Sequence, residues 1–373
     1  MSHKKFTPAF LPCLLMGALA LPAAAKAATP PISAQEAEAA YQDMLAHDRD
    51  VGAGAALPQE TYGTMAPSSA PAADARDNRG ELNISTIYDD DPSSSNVNGG
   101  TNYGMETVLY SPILHDHWRL FAGELFSHEL EPYGEGHINY SRSSAGAEYT
   151  GDTYKASLSP TFNDYNGNER VGAAGNVLWG LSDSWEIGGG AQLFSRDTPL
   201  RALNAGITAN AYDLNANWYR EGARNVHIDG NMMAFSDNNV RSLLSVSDTE
   251  YMYRSSLFNF DGLGNLAESQ NSKDENRPYF NPRQDVMAAV GGRVGQDLYR
   301  RYDVAYDHSL EVKSGMYWQK DYGGSPMLSA TYAQHVNYKN NVDASLGVTY
   351  TRQDSDGYTE NDIAFLLNLA TKM

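Results

Sequence analysis

Residues 301–318 read Arg-Tyr-Asp-Val-Ala-Tyr-Asp-His-Ser-Leu-Glu-Val-Lys-Ser-Gly-Met-Tyr-Trp. Tyr302, Val304, Tyr306, Leu310, Val312, Met316 and Trp318 share one parity, while Asp303, Asp307, Ser309, Glu311 and Lys313 share the other. Successive side chains of a strand point to opposite faces, so this run offers an apolar face to one environment and a charged face to another. Residues 341–351 repeat the pattern, with Val342, Ala344, Leu346, Val348 and Tyr350 against Asp343, Ser345, Gly347 and Thr349. In 184–193, Trp185, Ile187, Ala191 and Leu193 stand against Glu186, Gly188, Gly190 and Gln192. Segments of this kind recur from about Gly80 to Met373, which is the signature of an all-β transmembrane barrel with alternating lipid and lumen faces.

Connections near 89–100, 128–136, 163–169, 195–206, 261–283, 319–325 and 353–360 read as loops, mostly long, with a short one near 236–239. Those near 149–151, 181–184, 220–224, 247–249, 297–300 and 337–341 read as short turns. Outer-membrane barrels pair short periplasmic turns with longer outer loops, so the alternation predicts about 16 antiparallel strands. An even count starting in the periplasm returns the last strand there. Trp118, Trp179, Trp185, Trp218 and Trp318 fall near strand ends, where amphipathic rings suit the membrane interfaces.

Composition excludes the competing classes. With 27 Lys and Arg against 46 Asp and Glu, the net charge of −19 leaves no basic stripe for nucleic acid. A mean hydropathy of −0.50 excludes helical spans, each of which needs about 20 apolar residues. Residues 1–27 read as a signal peptide, with Lys4 and Lys5, an apolar stretch from Phe10 to Leu21, and an Ala25-Lys26-Ala27 cleavage site. Its removal takes three lysines and the only cysteine, Cys13, so the exported chain carries 24 bases, 46 acids and a charge of −22. Within 28–79, Ser33 to Glu36 has capping-box spacing and Ala37, Ala40, Tyr41, Met44 and Leu45 share one face, predicting a short N-terminal helix followed by a flexible linker. The barrel then occupies 80–373.

Parity places Glu106, Glu124, Glu186, Asp213, Asp229, Asp303, Asp307, Glu311 and Asp343 toward the lumen. Asp303, Asp307 and Glu311 recur every four residues on one strand, about 13 Å apart, as a rail of acids. Inward Tyr219, Phe235, Tyr317, Asn215, Asn217 and Asn231 add stacking faces and amides suited to sugars. So many like charges call for water, counter-ions or a cationic cargo. These residues alone leave a generic water-filled pore equally open. No histidine pair has metal-ligand spacing, and His137, His227 and His335 read as polar lumen residues. Gly188-Gly189-Gly190 and Gly291-Gly292-Arg293-Val294-Gly295 precede no helix and are not phosphate loops. We therefore assign no catalytic residue, metal or cofactor and read a pore rather than an enzyme; a barrel enzyme with a His and a Ser or Asp meeting in the lumen is the alternative.

Three segments resemble the C-terminal barrel of exopolysaccharide export porins of the poly-β-1,6-N-acetyl-D-glucosamine type (PgaA-type). They are Thr198-Pro199-Leu200-Arg201-Ala202-Leu203-Asn204-Ala205-Gly206-Ile207-Thr208-Ala209, Arg277-Pro278-Tyr279-Phe280-Asn281-Pro282-Arg283-Gln284-Asp285, and Leu298-Tyr299-Arg300-Arg301-Tyr302. The resemblance implies a sixteen-stranded porin of a Gram-negative outer membrane, surrounded by outer-membrane lipid. It also implies an electronegative lumen that passes a partially de-N-acetylated, cationic glucosamine polymer for biofilm formation. Family members also carry periplasmic tetratricopeptide repeats that engage a deacetylase; this chain has no room for them, so a deacetylase or a separate repeat protein is the expected partner. A cellulose-type or general pore is the alternative cargo reading.

Overall fold

The computed structural model describes residues 79–373, apart from 91–100, 115–116, 131–136, 221, 274–278, 280, 302, 340 and 356–357. The signal peptide and N-terminal helix expected above lie outside these residues. Sixteen strands follow in order. The first eight are β1 (Glu81–Asp90), β2 (Thr101–Tyr110), β3 (Trp118–Leu130), β4 (His137–Thr150), β5 (Tyr154–Tyr165), β6 (Asn168–Ser182), β7 (Trp185–Leu193) and β8 (Ala209–Arg220). The second eight are β9 (Arg224–Phe235), β10 (Val240–Arg254), β11 (Phe258–Asn271), β12 (Gln284–Arg301), β13 (Val304–Gln319), β14 (Gly323–Tyr338), β15 (Val342–Ser355) and β16 (Tyr358–Lys372). Each pairs antiparallel with its sequence neighbours, and β1 closes on β16 from Glu81↔Lys372 to Asp90↔Ile363. Closure leaves no unpaired edge, the condition for a sheet to cross lipid. Sixteen strands about 4.8 Å apart and tilted about 40° enclose a cylinder roughly 30 Å across.

Burial runs opposite to that of a protein in water. The outward face carries Leu158, Val171, Leu214 and Val290 at 67–74 % exposure, while Asn163, Ser269, Asp261 and Gln353 inside are at most 2 % exposed. Apolar side chains this open to the surroundings are stable when those surroundings are lipid. We call the end bearing Glu81 and Lys372 the near rim. Trp118 meets Tyr149 edge-on at 5.1 Å there, and Tyr149 stacks on Tyr154 at 4.9 Å, as part of an interfacial aromatic girdle. Trp179, Trp185 and Trp218 share that rim by register, and Trp318 lies at the far one.

Several expectations about connections need correction: the loop expected over 261–283 begins only at 272, because β11 runs to Asn271, and the one expected over 353–360 narrows to 356–357. The turn expected at 247–249 is mid-strand, and β10 continues to Arg254 before turning at 255–257. Ser247, Asp248 and Thr249 are turn-forming types, but the Arg224 guanidinium on β9 donates to Asp248 at 2.7 and 2.5 Å, which holds the acid in the ladder. Likewise β12 passes through 297–300, absorbing one extra residue in a bulge between Asp297 and Tyr299. At the far rim four connections are long, 91–100, 131–136, 194–208 and 272–283. The link expected over 163–169 shrinks to Asn166 and Gly167, both at positive φ (48° and 81°), the geometry of a tight hairpin.

The connection 194–208 folds inward. It contains α1 (Leu200–Asn204), a single helical turn that periodicity over the barrel did not reveal. Leu200 and Leu203 pack with Phe194, Tyr140, Tyr165 and Leu125, and Ala202 packs with Phe235, Tyr279 and Met233. Such a short turn is not stable alone; the wall and the neighbouring loop hold it.

Candidate functional site: the lumen

Register assigns each inward side chain. Gly188 and Gly190 lie opposite Asn215 and Asp213 on β8, which lie opposite Asp229 and Asn231 on β9. A Cβ on Gly190 would stand 2.7 Å from the Asp213 carboxylate, and one on Gly188 2.6 Å from the Asn215 amide oxygen. Bare backbone on β7 is thus what lets these side chains lie across it, so β7 forms a floor with Asp213, Asp229 and the asparagines beside it. Toward the near rim, Asn217 donates to Glu186 at 3.2 Å and contacts His227 at 2.5 Å. Among the described residues Glu186, Asp213 and Asp229 enter no ion pair with Lys or Arg.

The opposite wall differs. Asp261, 1 % exposed, is held by Arg293 at 2.8 Å and also by Arg254. Glu311 pairs with Lys313 at 2.5 Å. At the near rim Arg119 bridges Glu148 at 2.7 Å and Glu81 at 3.4 Å. His335 lies between two carboxylates, with Nδ1 3.1 Å from Asp307 and Nε2 2.9 Å from Asp343. The lumen therefore has one side of compensated charge and one side, β7 to β9, whose acids make no ion pair with Lys or Arg among the described residues.

The far half contains the inward segment. From its base beside β7 it reaches β2, five strands round the wall, where Arg196 pairs with Glu106 at 2.9 Å. That chord is about 25 Å for a barrel of this size, so the segment crosses the lumen. Ser195 Oγ and Gln192 donate to Asp197 Oδ2, each at 3.3 Å, while Oδ1 has no hydrogen-bond partner and lies 3.9 Å from Arg196 Nε. Burial raises the Asp197 carboxyl above the usual carboxylate range, against the pull of Arg196 and Arg142. The second loop is pinned by Asn239, whose Nδ2 donates to Asn271 at 3.0 Å, Asn281 at 2.8 Å and Tyr279 at 3.2 Å. Tyr279 stacks on Phe235 at 4.7 Å. Ala202 and Tyr279, one from each of two family-like segments, thus pack in one buried cluster at the far mouth.

Of the nine acids read as inward, Glu106, Glu186, Asp213, Asp229, Asp307, Glu311 and Asp343 line the lumen by register. Two do not. Glu124 pairs with Ser143 and accepts its hydroxyl at 3.0 Å on the outer face, one register step from inward Arg142 and Leu125. The error is one of parity: β3 carries Phe121 inward against Tyr110 and Leu125 inward against the lumen-filling segment, so an apolar face there does not mark lipid. Asp303 lies exposed in the β12–β13 turn, because β13 begins at Val304. The acid rail loses its first member, and Glu311 is neutralised by Lys313, so the uncompensated column is Asp213 and Asp229 instead. Sequence reasoning missed Arg196 and Asp197; a charged pair directly before a loop segment rich in buried-type residues was the available signal.

A closed sixteen-stranded barrel with an apolar exterior, aromatic girdles and a polar, acid-bearing interior defines an outer-membrane β-barrel protein. The chain matches the family model of the PgaA membrane β-barrel domain over residues 77–373 and belongs to that family. It is 26 % identical over 265 residues, 71 % of its length, to the poly-β-1,6-N-acetyl-D-glucosamine export protein of Escherichia coli (strain K12), and equally so to that of Escherichia coli O157:H7. Those matches take in 32 % of the relatives, so the chain spans about a third of the curated relatives it matches. Among solved structures it resembles a bacterial polysaccharide outer membrane secretin, with a TM-score of 0.73, 24 % identity, and coverage of 80 % of this chain and 99 % of that one. That likeness shows the fold.

Proposed function

We propose that the chain is the outer-membrane passage for a cationic exopolysaccharide, partially de-N-acetylated poly-β-1,6-N-acetylglucosamine, released for biofilm formation. One observation carries the reading: Glu186, Asp213 and Asp229 face the lumen without a Lys or Arg ion pair among the described residues, beside Asn215, Asn217 and Asn231 and over a glycine floor. A free amine on glucosamine is protonated at neutral pH and complements these acids, while amides serve ring hydroxyls and acetamido groups. Acids spread along the wall hold such a polymer weakly at each point, so it enters and also leaves. No bond is broken. His335 has both ring nitrogens engaged by Asp307 and Asp343, which leaves neither to activate a nucleophile. In this reading the signal peptide is removed on export, the near rim faces the periplasm, lipid surrounds the wall, and a deacetylase or a separate repeat protein delivers the polymer.

The test is surface polymer in a strain lacking its own exporter but carrying this chain. Neutralising Glu186, Asp213 and Asp229 together (to Gln, Asn and Asn) is expected to lower surface polymer at least about tenfold, given roughly 0.5 kcal/mol or more per weakened contact. Unchanged export from a barrel present at normal level would overturn the reading in favour of a general pore.

A further inference from the structure

We infer that Glu106 and Asp197 form a cation-binding site now filled by the chain's own Arg196, and that an incoming amino-sugar ammonium displaces that guanidinium and frees the lumen-crossing segment. The inference rests on the cationic-cargo reading and adds how the cargo opens its own path. Three features support it.

The first is position. By register Asp229 lies diagonal to Asp213 across β8 and β9, Asp213 lies opposite Gly190 on β7, and the next inward residue of β7, Gln192, donates to Asp197. An acidic path therefore runs from the open β8–β9 wall to the lumen-crossing segment, and Asp197 is the next carboxylate a cation moving along it meets. The second is an unmet valence. Asp197 is 4 % exposed, and its Oδ1 has no hydrogen-bond partner although it faces Arg196. The planar guanidinium bonds Glu106 and stands 3.9 Å from that oxygen. An ammonium is compact and has three donors, so it can serve Glu106 Oε1 and Asp197 Oδ1 together. Exchange replaces one cation by another, so Arg142, which stands nearby on β4 and donates to Gln192 at 3.2 Å, meets no added charge.

The third is leverage. Arg196 ties the segment to β2, while Phe194, Leu200, Leu203 and Ala202 pack against β3–β5 and β8–β9, Asn204 accepts from Asn166, and the Ser195 amide donates to Ala209. Loss of the tie releases the side that spans the lumen, while the apolar anchors keep the segment within the mouth. A neutral sugar has no ammonium to exchange and leaves the tie intact.

Single-channel recording of the purified full chain in planar bilayers tests this, with the β-1,4-linked hexamers of glucosamine and of N-acetylglucosamine as charged and neutral probes. The expected result is that the glucosamine hexamer raises the open probability of the wild type about tenfold, the order that follows loss of one charge-assisted hydrogen bond, and that the neutral hexamer does not. Arg196→Gln and Glu106→Gln are each expected to start open and to gain nothing from the glucosamine hexamer, whereas Arg196→Lys stays closed and responsive. Folding is checked by heat-modifiable migration; should Arg196→Gln fail to fold, Glu106→Gln and Arg196→Lys decide. Folded variants that conduct like the wild type overturn the latch. If the glucosamine hexamer merely blocks current alike in all variants, the latch is overturned and the cationic-cargo reading stands. If neither hexamer changes current in any variant, both fall.

Discussion

Single residues decide what each wall of this barrel can do. Glu124 stands on the outer face at mid-strand, accepting a hydrogen bond from Ser143, where an apolar residue belongs. An acid held against hydrocarbon costs less than a Lys or Arg there but still destabilises. Replacing it, Glu124→Leu, is expected to raise stability by about 1 kcal/mol in chemical unfolding from lipid vesicles. On the inner face Gly190 has the opposite character. Its missing side chain is the space the Asp213 carboxylate occupies, so Gly190→Val pushes that carboxylate aside and narrows the floor of the path. We expect normal assembly but reduced polymer at the cell surface, a split that immunoblotting alongside polymer detection will show. Parity placed Gly190 inward correctly and misplaced Glu124, because parity ranks faces by polarity. β3 has an apolar residue on both faces wherever the inward segment packs against it.

At the scale of elements, strands were largely legible and their connections were not. β7, β15 and β13 from Val304 on keep the predicted outward sets, since two-residue alternation is a local property of the strand. The start of β13 and the span of β10 were misjudged because turn-type residues such as Asp248 and Asp303 look alike in sequence. One has an arginine opposite it, and the other begins a turn. Where strands approach most closely the sequence offers a firmer mark. A Cβ on Gly315 would sit 2.0 Å from the Ala288 carbonyl oxygen, so Gly315→Ala must part β12 from β13. Its expected cost is about 1–3 kcal/mol, read as a lower unfolding midpoint. The far-mouth loops depend instead on hydrogen bonds. Asn239, with no exposed surface, serves three acceptors on or beside the 272–283 connection, and Asn239→Ala removes those three bonds. Trypsin cleavage at Lys273 is expected to accelerate about tenfold or more while the barrel itself resists, since each lost buried hydrogen bond costs roughly 1–3 kcal/mol.

The whole molecule separates its charge. Arg293 pairs with Asp261 and Lys313 with Glu311 on the β11–β13 wall, while Glu186, Asp213 and Asp229 on β7 to β9 make no such pair among the described residues, so the field inside is more negative on that side. Bilayer recordings are expected to show cation selectivity that fades toward 1 M salt, where screening shortens to about 3 Å, and that falls when Asp213 and Asp229 are changed to Asn. Alternation, strand count, aromatic placement and the −19 charge determined by themselves that this chain closes into an acidic membrane barrel, because each follows from the period of a strand and the solvent on either side of it. Which acids are free and which are cancelled was decided only by the tertiary structure. Arg293 meets Asp261 across 32 positions and Arg196 meets Glu106 across 90, and charge cancellation depends on distance in space, which the closing of the barrel sets.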